Sequence, residues 1–80
     1  MTKEDLKAGR CYRAKKPRNV RGFYNDRQVK RLTETQVQYD GPAVAWGRKY
    51  PLVSIEKFLA WASHDVTDDL PPGEWQDFHD

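Results

Sequence analysis

A single cysteine, Cys11, in a chain of 80 residues is the strongest constraint on how this protein folds. A chain this short has a core that rarely contributes more than about 3–5 kcal/mol net, so domains of its size often rely on disulfides, metal or self-association. One cysteine excludes an internal disulfide. With only two histidines beside it, a closed Cys/His zinc site within one chain is excluded as well. Side-chain packing or a homodimer must hold the fold. Three Trp, four Tyr and three Phe supply the bulk for that packing, although 32% of the residues are charged. The length accommodates one domain and no large catalytic cleft. No apolar run approaches the roughly 18 residues of a membrane span, and the start MTKEDLK lacks the apolar stretch of a signal peptide. The expectation is a cytoplasmic protein without a membrane partner.

The net charge of +2 conceals a gradient. Residues 1–31 carry a net +8, residues 32–62 are balanced, and residues 63–80 carry −6 with no Lys or Arg. Such asymmetry points to a basic working surface and an acidic tail.

Local patterns place the elements. Thr2 and Asp5 have the spacing of a weak capping box, Leu6 is its buried contact, and Gly9 suits a left-handed residue. From Arg10 to Lys16, Tyr12 and Ala14 alternate with Arg13 and Lys15, the period of a half-buried strand. Cys11 then points outward if Tyr12 points inward. Pro17, Asn19, Gly22 and Asn25 mark a loop of about ten residues that carries Arg18, Arg21, Phe23 and Tyr24. Asp26 to Leu32 is strand-like, but Val29 and Leu32 are out of phase, which a bulge or bend near Lys30 reconciles. Val37 and Tyr39 share one face of the next strand, so the two form a hairpin. Asp40-Gly41-Pro42 is a turn, Ala43 to Trp46 and Lys49 to Val53 are read as two further strands, and Gly47 joins them. Ser54 caps a helix whose stripe is Ile55, Phe58, Leu59 and Ala62. The acidic end contains Leu70-Pro71-Pro72-Gly73, which cannot continue a helix.

The lead-in Leu6-Lys7-Ala8-Gly9, the basic strand, the aromatic loop, Asp26-Arg27-Gln28-Val29, Val37-Gln38-Tyr39-Asp40 and Tyr50-Pro51-Leu52 before a helical turn resemble a small SH3-like or Tudor-like barrel. The resemblance covers roughly residues 6–60. It implies a mainly β fold: a small SH3-like antiparallel barrel with a C-terminal helix over residues 1–66, followed by an acidic aromatic tail over 67–80 that docks on the barrel. Type II dihydrofolate reductases are SH3-like chains of similar size with a late Tyr-Pro. Gly47-Arg48-Lys49-Tyr50 stands here where those enzymes carry a Val-Gln-Ile-Tyr pore strand, so that activity is not carried over. Small acidic-tailed proteins encoded by phages and plasmids are similar in overall look.

Nucleic-acid binding has the best chemical basis. Arg13, Lys15, Lys16, Arg18, Arg21 and Arg27 fall on one strand, its loop and the neighbouring strand, where they can neutralise phosphates, and Phe23 or Tyr24 can stack an unpaired base. The competing reading is a solvated basic surface with the aromatics in the core. Sequence-specific reading is disfavoured, because no recognition helix carries the cations. Ser63-His64-Asp65 are adjacent, whereas a triad converges from separated elements, so no catalytic residue is assigned. His64, His79 and the tail aspartates lack calcium-loop spacing, so no metal site or cofactor is assigned. Trp75 and Phe78 need a cover, either their own barrel or a protein partner. The chain is thus expected to be a non-enzymatic binding module, for nucleic acid or alternatively as a protein-interaction module, inhibitor or adaptor of a mobile element.

Overall fold

The computed structural model describes residues 1–71 and 75–79. The Pro72-Gly73 part of the expected helix-breaking segment, Glu74 after it, and Asp80 lie outside the described residues. The chain enters through a single 3-10 turn, Lys3–Asp5, in which the Asp5 carboxylate accepts the Thr2 backbone N–H at 2.8 Å. Leu6 is buried directly after it. The turn is fastened to the sheet by a core tyrosine on strand β1 (Cys11–Ala14): the Tyr12 hydroxyl donates to the Asp5 carbonyl at 2.8 Å and accepts the Lys7 N–H at 2.9 Å. Both hydrogen-bonding valences of a buried hydroxyl are thereby used, which burial requires.

Next comes a short hairpin, β2 (Asn19–Val20) and β3 (Phe23–Tyr24), where the sequence pattern predicts an irregular loop. Arg21 and Gly22, with φ of +55° and +91°, form its two-residue connection. Two successive positive φ values match the right-handed twist of flanking strands, which is why such turns close hairpins. Arg-Gly is not the usual Asn-Gly signal, so the hairpin was not legible locally.

Strand β4 (Arg27–Leu32) pairs with β5 (Gln36–Asp40), and the register shifts between Val29 and Arg31. Lys30 is the extra residue of that bulge. It puts both Val29 and Leu32 on the core side, resolving the phase break in the sequence. Strand β6 (Leu52–Ser54), helix α1 (Ile55–Trp61) and strand β7 (Ala62–Asp65) complete the fold. The Ser54 hydroxyl accepts the Lys57 N–H at 3.1 Å, as an N-cap does. The stripe of Ile55 and Phe58 faces the core, but Ala62 closes it from β7, where it is extended and pairs with Ala14.

The five-stranded antiparallel sheet has the order β6-β5-β4-β1-β7, and α1 carries the chain from one edge to the other. Tyr12, Val29, Val37, Ile55 and Phe58 form the core between sheet and helix, with Tyr12 and Phe58 edge-to-face at 5.7 Å. Among the described residues β6 and β7 remain edges, so hydrogen bonding does not close the sheet into the expected barrel. Past β7 the chain stays on β1: the Val66 N–H donates to the Cys11 carbonyl at 2.9 Å, and the Cys11 N–H donates to Thr67 Oγ1 at 2.8 Å.

Ala43–Trp46 is not a strand. Two turns, closed by Val44 N–H to the Gly41 carbonyl and Arg48 N–H to the Ala45 carbonyl, hold this segment off the sheet. At the start of this segment Gly41 sits where a β-carbon would run into the Asp26 carbonyl oxygen. Gly41→Ala is expected to cost about 1–3 kcal/mol through that backbone clash, read as a lowered denaturant midpoint at unchanged slope.

Candidate nucleic-acid interface

Antiparallel pairing of β1 with β4 brings the two basic segments side by side, but their cations have different fates. Arg13 grips Asp26 with two parallel bonds, Nε to Oδ1 at 3.0 Å and the terminal nitrogen to Oδ2 at 3.1 Å. The Asp26 side chain is fully buried and that of Arg13 is 17% exposed. The Arg13 guanidinium carbon also lies 3.8 Å from the centre of the Tyr24 ring. Hydrogen bonding to Asp26 raises the pKa of Arg13 above its ordinary value, so the guanidinium stays charged. Arg13, expected at the nucleic-acid surface, is therefore a structural residue, because its fork and its face are both occupied. Tyr24, the expected base stacker, is occupied too, between Arg13 and the Phe78 ring at 4.9 Å.

Lys15, Lys16, Arg18 and Arg27 do converge. They line a cleft of about 410 Å³ between the entry to the β2–β3 hairpin and the end of α1, with Asn25 and the Trp61 ring in its walls. Local bonds set this geometry. The Lys15 N–H donates to the Trp61 carbonyl at 2.8 Å, and Arg18 and Asn25 join the two arms of the hairpin, Arg18 N–H to Asn25 Oδ1 at 2.9 Å and Asn25 N–H to the Arg18 carbonyl at 3.1 Å. Among the described residues, the cleft walls contain no carboxylate. Arg27 is held by aromatic rings, its guanidinium carbon 4.1 Å from the centre of Trp61 and 4.3 Å from that of Tyr39. Burial lowers its pKa from the ordinary arginine value, yet an arginine stays charged.

Trp61 and Tyr39 are the site residues that sequence reasoning missed. Trp61 lies outside the Ile55-Phe58-Leu59-Ala62 stripe but three residues after Phe58, a spacing that makes them neighbours on the helix surface, and it packs against the core there; that spacing was the available signal.

Arg21 and Phe23 belong to a second surface. They line an open groove of about 650 Å³ with Trp46, Tyr50 and Trp75. The tail reaches that groove along the hairpin: the Tyr24 N–H donates to the Gln76 carbonyl at 3.0 Å, the Phe78 N–H to the Gly22 carbonyl at 2.8 Å, and Phe23 bridges to Asp77. Residues 76–78 thus lie beside β3, joined to it by an isolated β-bridge. Upstream, Asp65 and Asp68 meet Arg10 at 2.7 and 3.4 Å, and among the described residues no carboxylate pairs with Lys15, Lys16, Arg18 or Arg27. Burial pushes the Asp65 carboxyl up, but hydrogen bonds from Arg10 and Thr67 outweigh it and the net shift is downward. Because Asp65 is committed to Arg10 and Thr67, Ser63 and His64 share only their own contact at 2.9 Å.

Cys11 is buried, because Val66 and Thr67 return along β1 and cover it. Burial, with Asp26 and Asp65 nearby, pushes its thiol up to about 11. At pH 8 the folded protein is expected to resist iodoacetamide and to alkylate only on unfolding, followed by mass spectrometry, since the thiolate is the reactive form.

Comparison with protein-family models, curated proteins and solved structures found no match to this chain. Among the described residues no three His, Cys, Asp or Glu side chains converge as metal ligands, and no helix is long and apolar enough to cross a membrane.

Proposed function

We propose that this chain is a non-enzymatic binding module of SH3-like topology that binds nucleic acid through the Lys15/Lys16/Arg18/Arg27 cleft. One observation carries the reading: four cations converge on a concave surface without a carboxylate, with an indole ring in its wall. Cations so placed neutralise phosphates and release counterions. The topology is supported by the strand order, in which the first strand lies between β4 and the last strand, and by a hairpin inserted after β1 and a helix before β7.

Salt-dependent anisotropy with a labelled oligonucleotide tests this function. Lys15→Ala, Lys16→Ala and Arg18→Ala together are expected to flatten the slope of log affinity against log salt by about 2, at roughly 0.7 per phosphate contact on a single strand. These side chains are exposed, so the fold tolerates their loss. An unchanged slope overturns the assignment.

A protein-interaction role, as an inhibitor or adaptor of a mobile element, is favoured by a different observation. Trp46 is 96% exposed beside the partly exposed Tyr50, in the groove that Trp75 also lines. Exposed aromatic clusters mark contact surfaces. Trp46→Ser abolishing partner capture while sparing oligonucleotide binding would assign this groove to a separate partner.

A further inference from the structure

A buried guanidinium loses hydration and needs an anion or strong acceptors in return. Elsewhere in this fold a carboxylate fills that role: Asp26 for Arg13 and Asp65 for Arg10. Arg27 is held differently. It is half-buried, burial lowers its pKa, and among the described residues no carboxylate pairs with it and its side chain makes no hydrogen bond. Trp61 and Tyr39 cover the guanidinium, and both rings are backed by Phe58. They are its cradle. The donors of a guanidinium lie in its plane, so rings over its face fix that plane and leave the N–H edge for an acceptor outside the cradle.

Arg27 also lines a second cleft, of about 350 Å³, together with Arg48, Lys49 and Asp26. Asp26 adds no free charge there, because its side chain is fully buried and both of its oxygens accept from Arg13. The walls are therefore cationic on balance. Arg48 and Lys49 are exposed while Arg27 is packed, so the cleft joins one rigid fork to two adaptable charges. Its volume is that of a small-ligand site. A carboxylate or a phosphodiester offers two unesterified oxygens, and the Arg27 fork by itself uses both. A phosphate monoester offers three, with a charge of about −1.5 to −2, which leaves an oxygen and most of a charge for Arg48 and Lys49.

We infer that this second cleft is a binding site for a phosphate monoester, in which the Arg27 fork takes two terminal oxygens and Arg48 and Lys49 take the third. That chemistry has two sources. One is the terminal phosphate of a strand whose backbone lies in the first cleft, reached through the shared Arg27; the other is a free phosphorylated small molecule. Lys15, Lys16 and Arg18 are outside the second cleft, so a free monoester binds there whether or not those residues hold a strand.

The test follows the Arg27 Nε–H resonance of the full chain at constant ionic strength and neutral pH. The probes are thymidine 5′-monophosphate, the diester thymidylyl-thymidine and, as control, thymidine. The monophosphate is expected to give a saturable shift at an affinity about tenfold or more above that of the diester, with none from thymidine. Arg27→Lys, which keeps the charge and loses the fork, is expected to lose about tenfold, with folding checked by thermal melting. Because Arg27 is packed between rings, the exposed pair Arg48→Ala and Lys49→Ala gives an independent reading, also a loss of about tenfold, whereas Lys15→Ala with Lys16→Ala leaves monophosphate affinity unchanged. A short oligothymidine with and without a 5′-phosphate separates the sources: a phosphorylated strand that binds tighter than both the unphosphorylated strand and the monophosphate assigns the site to a strand end, and one no tighter than the monophosphate assigns it to a free ester. Equal affinity for diester and monoester, no saturable shift, or unchanged affinity in the Arg48/Lys49 variant overturns the site. The salt slope of the Lys15/Lys16/Arg18 variant still decides the nucleic-acid reading separately.

Discussion

Arg13→Ala is expected to destabilise the protein by about 3–5 kcal/mol, the cost of leaving a buried carboxylate without its partner. Asp26 has no exposed side-chain surface through which to recover hydration, and the bidentate bond from Arg13 is the ion pair it makes among the described residues. Small domains have total stabilities near the low end of about 5–15 kcal/mol, so most of the population would unfold at ambient temperature. Urea denaturation followed by tryptophan fluorescence measures the loss. Replacing both partners, Arg13→Leu with Asp26→Leu, is expected to recover a large part of it, because the penalty comes from the orphaned charge and not from absence of the pair. A double variant as unstable as Arg13→Ala would refute that account. The result also governs how binding data are read: loss of nucleic-acid affinity on changing Arg13 reports a damaged fold, while loss on changing Lys15, Lys16 or Arg18 reports a lost contact.

Phe58→Ala is expected to cost about 3–5 kcal/mol as well, through lost burial and a cavity that the neighbours cannot fill. Phe58 is fully buried and is the hub of the aromatic core, with ring centres 5.7 Å from Tyr12, 6.1 Å from Tyr39 and 5.3 Å from Trp61. Two of those three rings hold Arg27. The variant should therefore lose oligonucleotide affinity even under conditions, such as added osmolyte, that keep it folded, because Tyr39 and Trp61 lose their backing. A cooperative unfolding transition at the wild-type midpoint would show that the helix is peripheral to the core, contrary to its packing.

What was legible in the sequence is what neighbouring residues encode together. The bulge at Lys30 follows from Val29 and Leu32 being out of phase, the hairpin of β4 and β5 from their period of two, the start of α1 from Ser54 and the spacing of Ile55 and Phe58, and the turn after β5 from Asp40-Gly41-Pro42. Each depends on the period of a regular element or on the φ preference of a turn residue, and these act within a few positions. The +8 amino-terminal segment likewise identified a basic surface. Tertiary structure alone decided how that charge is divided. Arg13 and Lys15 look equivalent on an alternating strand, but Asp26, 13 residues from Arg13, takes one and leaves the other free, a distinction set by strand pairing. The same holds for Cys11, whose burial depends on β7 and Thr67 returning to β1, and for Ala43–Trp46, which folds into two turns in place of a strand. Arg27 and Trp61 become one site only when α1 ends beside β4. No local period records such a meeting, because ion pairing and stacking act between surfaces that only the fold brings together.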